Sequence, residues 1–140
     1  MGQVPSLQER RQKNLVLILA REFASQLATA TFVIDEKGKL VFYNEPAEAI
    51  LGRSFAEVGE IWADQWTDLF QIENLDGNRM PLERMPGGIA FFERKPAHGD
   101  VSITALDGVK REISVTAFPL LGRDDELVGV VTIFWEKAGR

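Results

Sequence analysis

Apolar positions along this chain switch between two rhythms. Near the start they recur at helical spacing: Leu15, Leu19, Phe23 and Leu27, with Val16 and Ile18 beside them. This spacing predicts a helix over Ser6 to Ala28. Ser6, with Glu9 three residues on, forms a capping-box arrangement at its start. Residues before Asn14 are mostly polar and charged, so the second half packs against something and the first half projects. A stripe this broad serves two purposes equally well: covering its own domain, or pairing with a second copy.

The rhythm then changes. "TFVI" and "LVFY" flank "DEKGK", the pattern of a hairpin turned at Asp35 and Gly38. The second strand runs into "NEPAEAILG". Asn44 suits the cap of a short helix, Pro46 is tolerated in its first turn, and Gly52 suits its C-terminal stop. Trp62, Trp66 and Phe70 lie four apart, which predicts one face of a helix, with Glu60, Asp64 and Asp68 in a row on another. Such a carboxylate row offers ligands to a hard cation, but no Gly-turned loop accompanies it, and a solvated face explains it better. A loop with two prolines follows. Pro86 then opens a helix in "PGGIAFFERK", with Ile89, Ala90 and Phe92 turned inward, and Pro96 ends it.

The remainder reads as three strands: "HGDVSITAL", "VKREISVTAFPLL" and "LVGVVTIFWE". In the last, Val128, Val130 and Phe134 lie on one side and Val131, Ile133 and Trp135 on the other. A strand apolar on both faces is covered on both.

These segments resemble a known family. "FYNEPAEAILG" is similar to the strand-Asn-x-x-A-x-x-x-x-G segment of PAS domains. "LFQIENLDGNRMPLERMPGGIAFFERKP" is similar to the bacterial PAS pattern in which DG, a PLE step and a second Pro introduce the helix over the pocket. "VSITALDGVKREISVTAFPLLGRDDELVGVVTIFWE" resembles the three-strand end of the fold. The resemblance implies an α+β fold: a five-stranded antiparallel sheet with short helices on one face and an N-terminal helix on the other. It divides the chain into an N-terminal helix over residues 1–30 and a PAS domain over 31–137. It also implies a sensory or regulatory role in signal transduction, a pocket between helices and sheet, and a homodimer paired through Leu15, Ile18, Leu19, Phe23 and Leu27. PAS domains rarely catalyse a reaction. The Asp-Ile-Thr-like step that ends many of them is missing: "FWEKAGR" stops, with Glu136 at the Asp position. The chain carries no kinase, cyclase or DNA-binding domain, so the output partner is unknown. The Met start favours a stand-alone PAS protein over an excised piece.

Composition narrows the chemistry. The 140 residues, 45% hydrophobic and 26% charged, suit one ordinary globular domain. There is no cysteine, which excludes disulfides, thiolate metal sites and a cysteinyl flavin adduct. A net charge of −5 without a basic stripe argues against nucleic acid. No apolar run approaches the roughly 18 residues that span a bilayer. The N-terminus lacks a signal-peptide layout, so the cytoplasm is expected. Met1-Gly2 with Ser6 is only a faint likeness to a myristoylation start.

Haem in PAS domains uses a His on the helix before the third strand. The single His, His98, follows Pro96, so it reads as an exposed turn residue. "GRSFA" faintly resembles a nucleophile elbow, but Ser54 follows a short helix and lacks a triad partner. What remains is an apolar pocket. Its candidate lining is Ile34 and Phe42 on the hairpin, Trp62, Trp66 and Phe70 in the middle, Ile89 and Phe92 on the covering helix, and Ile113, Val115 and Ile133 on the last strands. Each of these is also an ordinary core residue at its spacing. Gly87 and Gly88 allow backbone to approach a ligand, and Arg79 and Arg84 stand near the expected edge as anion contacts. An apolar or aromatic ligand fits such a lining. An internal space below about 100 Å³ instead favours a ligand-free dimerisation or docking module, since ligand sites run to several hundred.

Overall fold

The computed structural model describes residues 7–137. Met1, Gly2 and Ser6 lie outside the described residues, and with Ser6 the Ser6–Glu9 capping pair.

Helix α1 spans Leu7–Gln26 and stops before Ala28. The Ala24 carbonyl explains the stop. It accepts the Leu27 N–H (3.1 Å) in a tightened last turn and the Asn44 side-chain amide (2.9 Å). Strands β1 (Ala30–Asp35) and β2 (Lys39–Tyr43) form the expected hairpin. The Asp35 carboxylate gathers its turn by accepting the N–H groups of Lys37 (2.9 Å) and Lys39 (3.0 Å).

Three short helices follow: α2 (Glu45–Leu51), α3 (Phe55–Val58) and α4 (Ala63–Leu69). Between α3 and α4 a two-residue strand, β3 (Ile61–Trp62), pairs with β2. It makes the sheet six-stranded rather than five. A 3-10 turn at Leu82–Arg84 leads into α5 (Pro86–Glu93), and β4 (Ala97–Thr104), β5 (Lys110–Leu121) and β6 (Leu127–Glu136) complete the sheet. All pairings are antiparallel, in the order β3-β2-β1-β6-β5-β4.

Strand β6 lies between β1 and β5, and that position accounts for its two apolar faces. Val130 and Phe134 enter an inner layer with Phe32, Tyr43, Trp66, Met85 and Val115. Val131 enters an outer layer with Ala24, Val33 and Val41, against which Leu17, Ala20, Phe42 and Ile133 pack. The short helices cover the inner face and α1 covers part of the outer one.

The face that α1 turns to the sheet is not its most apolar one. Leu17, Ala20 and Ala24 make the contact, at spacing that places them on one side of a helix. Small alanines let the helix axis come close to the strands. Leu15, Ile18, Leu19 and Phe23 are consequently exposed, and Leu27 is half-buried.

The middle segment also differs from its pattern. β3 breaks the expected Trp62–Trp66–Phe70 face, because Trp62 sits in the edge strand while Trp66 and Phe70 are buried. The carboxylate row is broken with it. Glu60 precedes β3 and pairs with the Lys39 ammonium (3.5 Å), and Asp68 pairs with Arg79. Among the described residues no three His, Asp or Glu side chains converge on a metal position.

Candidate functional site

The joint after β2 is a buried hydrogen-bond hub. Asn44 is almost wholly buried, and its Oδ1 accepts the N–H of Ala47 (3.1 Å), capping α2, and that of Thr31 (3.0 Å) in β1. Its Nδ2 donates to the carbonyls of Ala24 (2.9 Å) and Thr29 (2.9 Å). One side chain thus ties the end of α1 to the first strand and to α2. Gly52 ends α2 at φ 82, and a Cβ there would lie 2.7 Å from the Asp107 backbone nitrogen. A left-handed turn pressed against another loop is a place for glycine. Next to the hub, the Tyr43 hydroxyl donates to the Arg53 carbonyl (2.8 Å). Burial, with the nearby Glu48 and Glu57 carboxylates adding to it, pushes its pKa up to about 12.

Beneath α4 and α5 lies an inner cavity of about 50 Å³. It is lined by Leu51, Trp66, Phe70, Met85, Ile113 and Val115 among others, with Phe134 and Thr132 from β6. The expected pocket is therefore much smaller than a usual ligand site; the large side chains on its wall, Trp66 and Met85 among them, are themselves buried. No titratable side chain borders it. Two buried polar atoms on its wall, Trp66 Nε1 and Thr132 Oγ1, have no hydrogen-bond partner among the described residues. Each such orphan costs about 1–3 kcal/mol, and a volume of this order holds no more than a few waters.

The predicted lining divides. Trp66, Phe70, Ile113 and Val115 border the inner cavity. Ile34, Trp62 and Phe92 do not; with Trp66 they border a separate open cleft of about 480 Å³ between α4, α5 and the β1–β2 turn. Phe42 and Ile133 lie on the other side of the sheet. Phe42 stands opposite Val33 and Ile133 opposite Thr31, so strand alternation turns both toward α1. Ile89 borders neither space and packs half-buried on α5. Gly88 approaches protein rather than ligand: a Cβ there would fall 1.8 Å from the Leu82 carbonyl oxygen. Arg79 is engaged with Asp68, and Arg84 is exposed. His98 is exposed on β4 with its ring 6.0 Å from that of Trp135, away from the inner cavity. Ser54 caps α3 by accepting the Glu57 N–H (3.2 Å).

Sequence reasoning missed Phe32, Leu51, Ile72, Met85, Val101 and Ile103 on the cavity wall. Alternation along "VSITAL" held the signal for Val101 and Ile103; the others depend on packing between distant elements.

The order of elements, the hub at Asn44 and the helix-roofed cavity together describe one fold family, and its sequence pattern, that of the PAS domain, matches residues 28–135. The chain belongs to the PAS domain family. Solved PAS domains share its shape. One from Colwellia psychrerythraea is similar at 17% identity and a TM-score of 0.65, over 89% of this chain and 99% of that one. The PAS domain of nitrogen regulation protein NR(II) from Vibrio parahaemolyticus is similar at 17% identity and a TM-score of 0.60, over 85% and 98%. The LOV domain of a blue-light activated histidine kinase from Erythrobacter litoralis is similar at 17% identity and a TM-score of 0.63, over 81% and 100%. At these identities the likeness is one of fold. No curated protein matches the sequence. In this PAS domain no helix among the described residues is long and apolar enough to cross a membrane.

Proposed function

We propose that this PAS domain is a regulatory module of a bacterial signalling system that acts in the cytoplasm by self-association along α1. The observation that carries the reading is the outer face of that helix. Leu15, Ile18, Leu19 and Phe23 are 55%, 52%, 57% and 67% exposed, on a helix whose opposite face is docked. Contiguous apolar surface of this kind marks an interaction site on a soluble domain. On the same outer side of the sheet Phe118 and Trp135 are each more than a third exposed. A second copy of α1 would cover this surface in a symmetric dimer. Sedimentation tests it: the wild type should run as a dimer and Leu19→Glu as a folded monomer.

A second reading, that the PAS core also holds a small apolar ligand, rests on Trp66 Nε1 and Thr132 Oγ1. A ligand atom that accepts from the indole and pairs with the hydroxyl would relieve both. A molecule larger than a few atoms requires Trp66 or Met85 to move. Native mass spectrometry of protein from its own host tests this reading; a bare chain mass, with no thermal shift from small apolar compounds, leaves the association module alone. The proposed role is regulatory, not catalytic: Ser54 and His98, the two side chains that invited a catalytic or haem role, are used as a helix cap and an exposed ring neighbour.

A further inference from the structure

The open cleft has the size of a small-molecule site, a few hundred cubic ångströms, which the inner cavity lacks. It lies on the helical side of the sheet, separate from the α1 surface, and does not depend on association. Its walls are unusually aromatic for an exposed position. Trp62 (43% exposed) and Phe92 (57% exposed) stand on its two sides, on β3 and α5, with Trp66 and Phe91 deeper. Phe91 and Phe92 meet edge to face at 5.1 Å, so two ring planes at a large angle face the space. Such walls favour a flat π-system, which stacks or packs edge-on against them.

The charges at the cleft are unequal in what they have left to do. Lys37 makes no ion pair among the described residues, and its backbone N–H is held by Asp35, which fixes the root of the side chain. Lys39, next but one, is already engaged by Glu60 (3.5 Å) and by the Trp62 ring (5.1 Å). Asp64, the carboxylate on the cleft, accepts the Gln65 N–H (3.0 Å) in the first turn of α4. Gln65 Oε1 accepts the Trp62 N–H (3.2 Å), and its amide –NH2 has no acceptor among the described residues. The unspent groups are thus a cation and a donor, both suited to a single carboxylate, while Asp64 disfavours a second negative charge.

We propose that this cleft binds a planar aromatic monocarboxylate of one or two rings. The ring lies between Trp62 and Phe92, and the carboxylate meets Lys37 and Gln65. Trp66 and Gly87 border both the cleft and the inner cavity, so an occupant also presses on the ring that roofs the core.

The test is an NMR amide titration of the whole chain with indole-3-acetate, with indole and hexanoate as controls. Indole-3-acetate should shift Lys37, Trp62 and Phe92 saturably, with a Kd near or below about 1 mM. Indole and hexanoate should each bind at least about tenfold more weakly, one lacking the charge and the other the ring. Lys37→Glu and Phe92→Ala, both at exposed positions, should each cost about tenfold or more while the melting temperature holds. Three results would overturn the proposal: no saturable shifts, hexanoate binding as well as indole-3-acetate, or affinity unchanged in Lys37→Glu. Shifts centred on Val101 and Ile113 would overturn it too, since they place the ligand in the inner cavity.

Discussion

The two faces of this sheet are finished differently. On the inner face, large side chains from the strands and short helices interlock, Tyr43, Leu40 and Phe134 are almost fully buried, and the inner cavity is only about 50 Å³. On the outer face a single helix docks through alanines and leaves its largest residues, with Trp135 and Phe118, in solvent. A packed face resists change and specifies the fold. A half-covered face is available to something else. The difference puts the stability of the fold on the inner face and the proposed association on the outer one, and substitutions should divide accordingly.

The largest effect should come from the inner face. Phe134→Ala removes a ring that packs on Phe32 (5.8 Å) at the centre of the core, and should cost about 3–5 kcal/mol in denaturant unfolding. A loss below about 1 kcal/mol would mean that the inner layer is not the stabilising one. Asn44 links the two faces. Asn44→Ala strands the N–H groups of Thr31 and Ala47 and should cost about 2–3 kcal/mol. Asn44→Asp keeps those two acceptor contacts but loses the donations to Ala24 and Thr29. It should therefore loosen the end of α1, read as faster amide exchange there, with β1 still protected. Equal loosening of both would dissolve the distinction.

Thr132→Val is smaller and opposite in sign. It replaces an orphan hydroxyl with an isosteric methyl and should stabilise by about 1 kcal/mol. Destabilisation would show that the hydroxyl has a partner in solution, such as a water or ligand in the cavity. The mildest test is alkaline. Tyr43 is the only tyrosine, so phenolate absorbance reports it alone. Its proton is held more tightly folded than unfolded, so stability is intact below about pH 10 and declines as pH rises toward about 12. Tyr43→Phe should flatten that decline. Ionisation of the folded protein at the ordinary tyrosine pKa would place the side chain in solvent.

The contrast between the faces was only partly legible in the residues. Element order came from period and punctuation, and the Asn44 and Gly52 joint from local capping chemistry that needs no distant partner. The docked face of α1 was not legible, because hydropathy ranks Leu and Phe above Ala, whereas close approach to a sheet selects Ala. Phe42 and Ile133 went to the wrong layer for want of register: alternation says that neighbours face opposite ways, and pairing decides which way. Trp62 read as part of a helical face because a two-residue strand leaves no periodic trace. Cavity volume depends on how Trp66 and Met85 fit against strands far away in sequence, and no local pattern carries that.

The central claim, that the outer face of α1 is an association surface, is tested most directly by sedimentation equilibrium on the wild type and Leu19→Glu. The wild type should fit a dimer and the variant a monomer with the same melting temperature when both are compared at dilutions where the wild type has dissociated. A wild type that stays monomeric at high concentration, or a Leu19→Glu dimer as tight as the wild type, would contradict it.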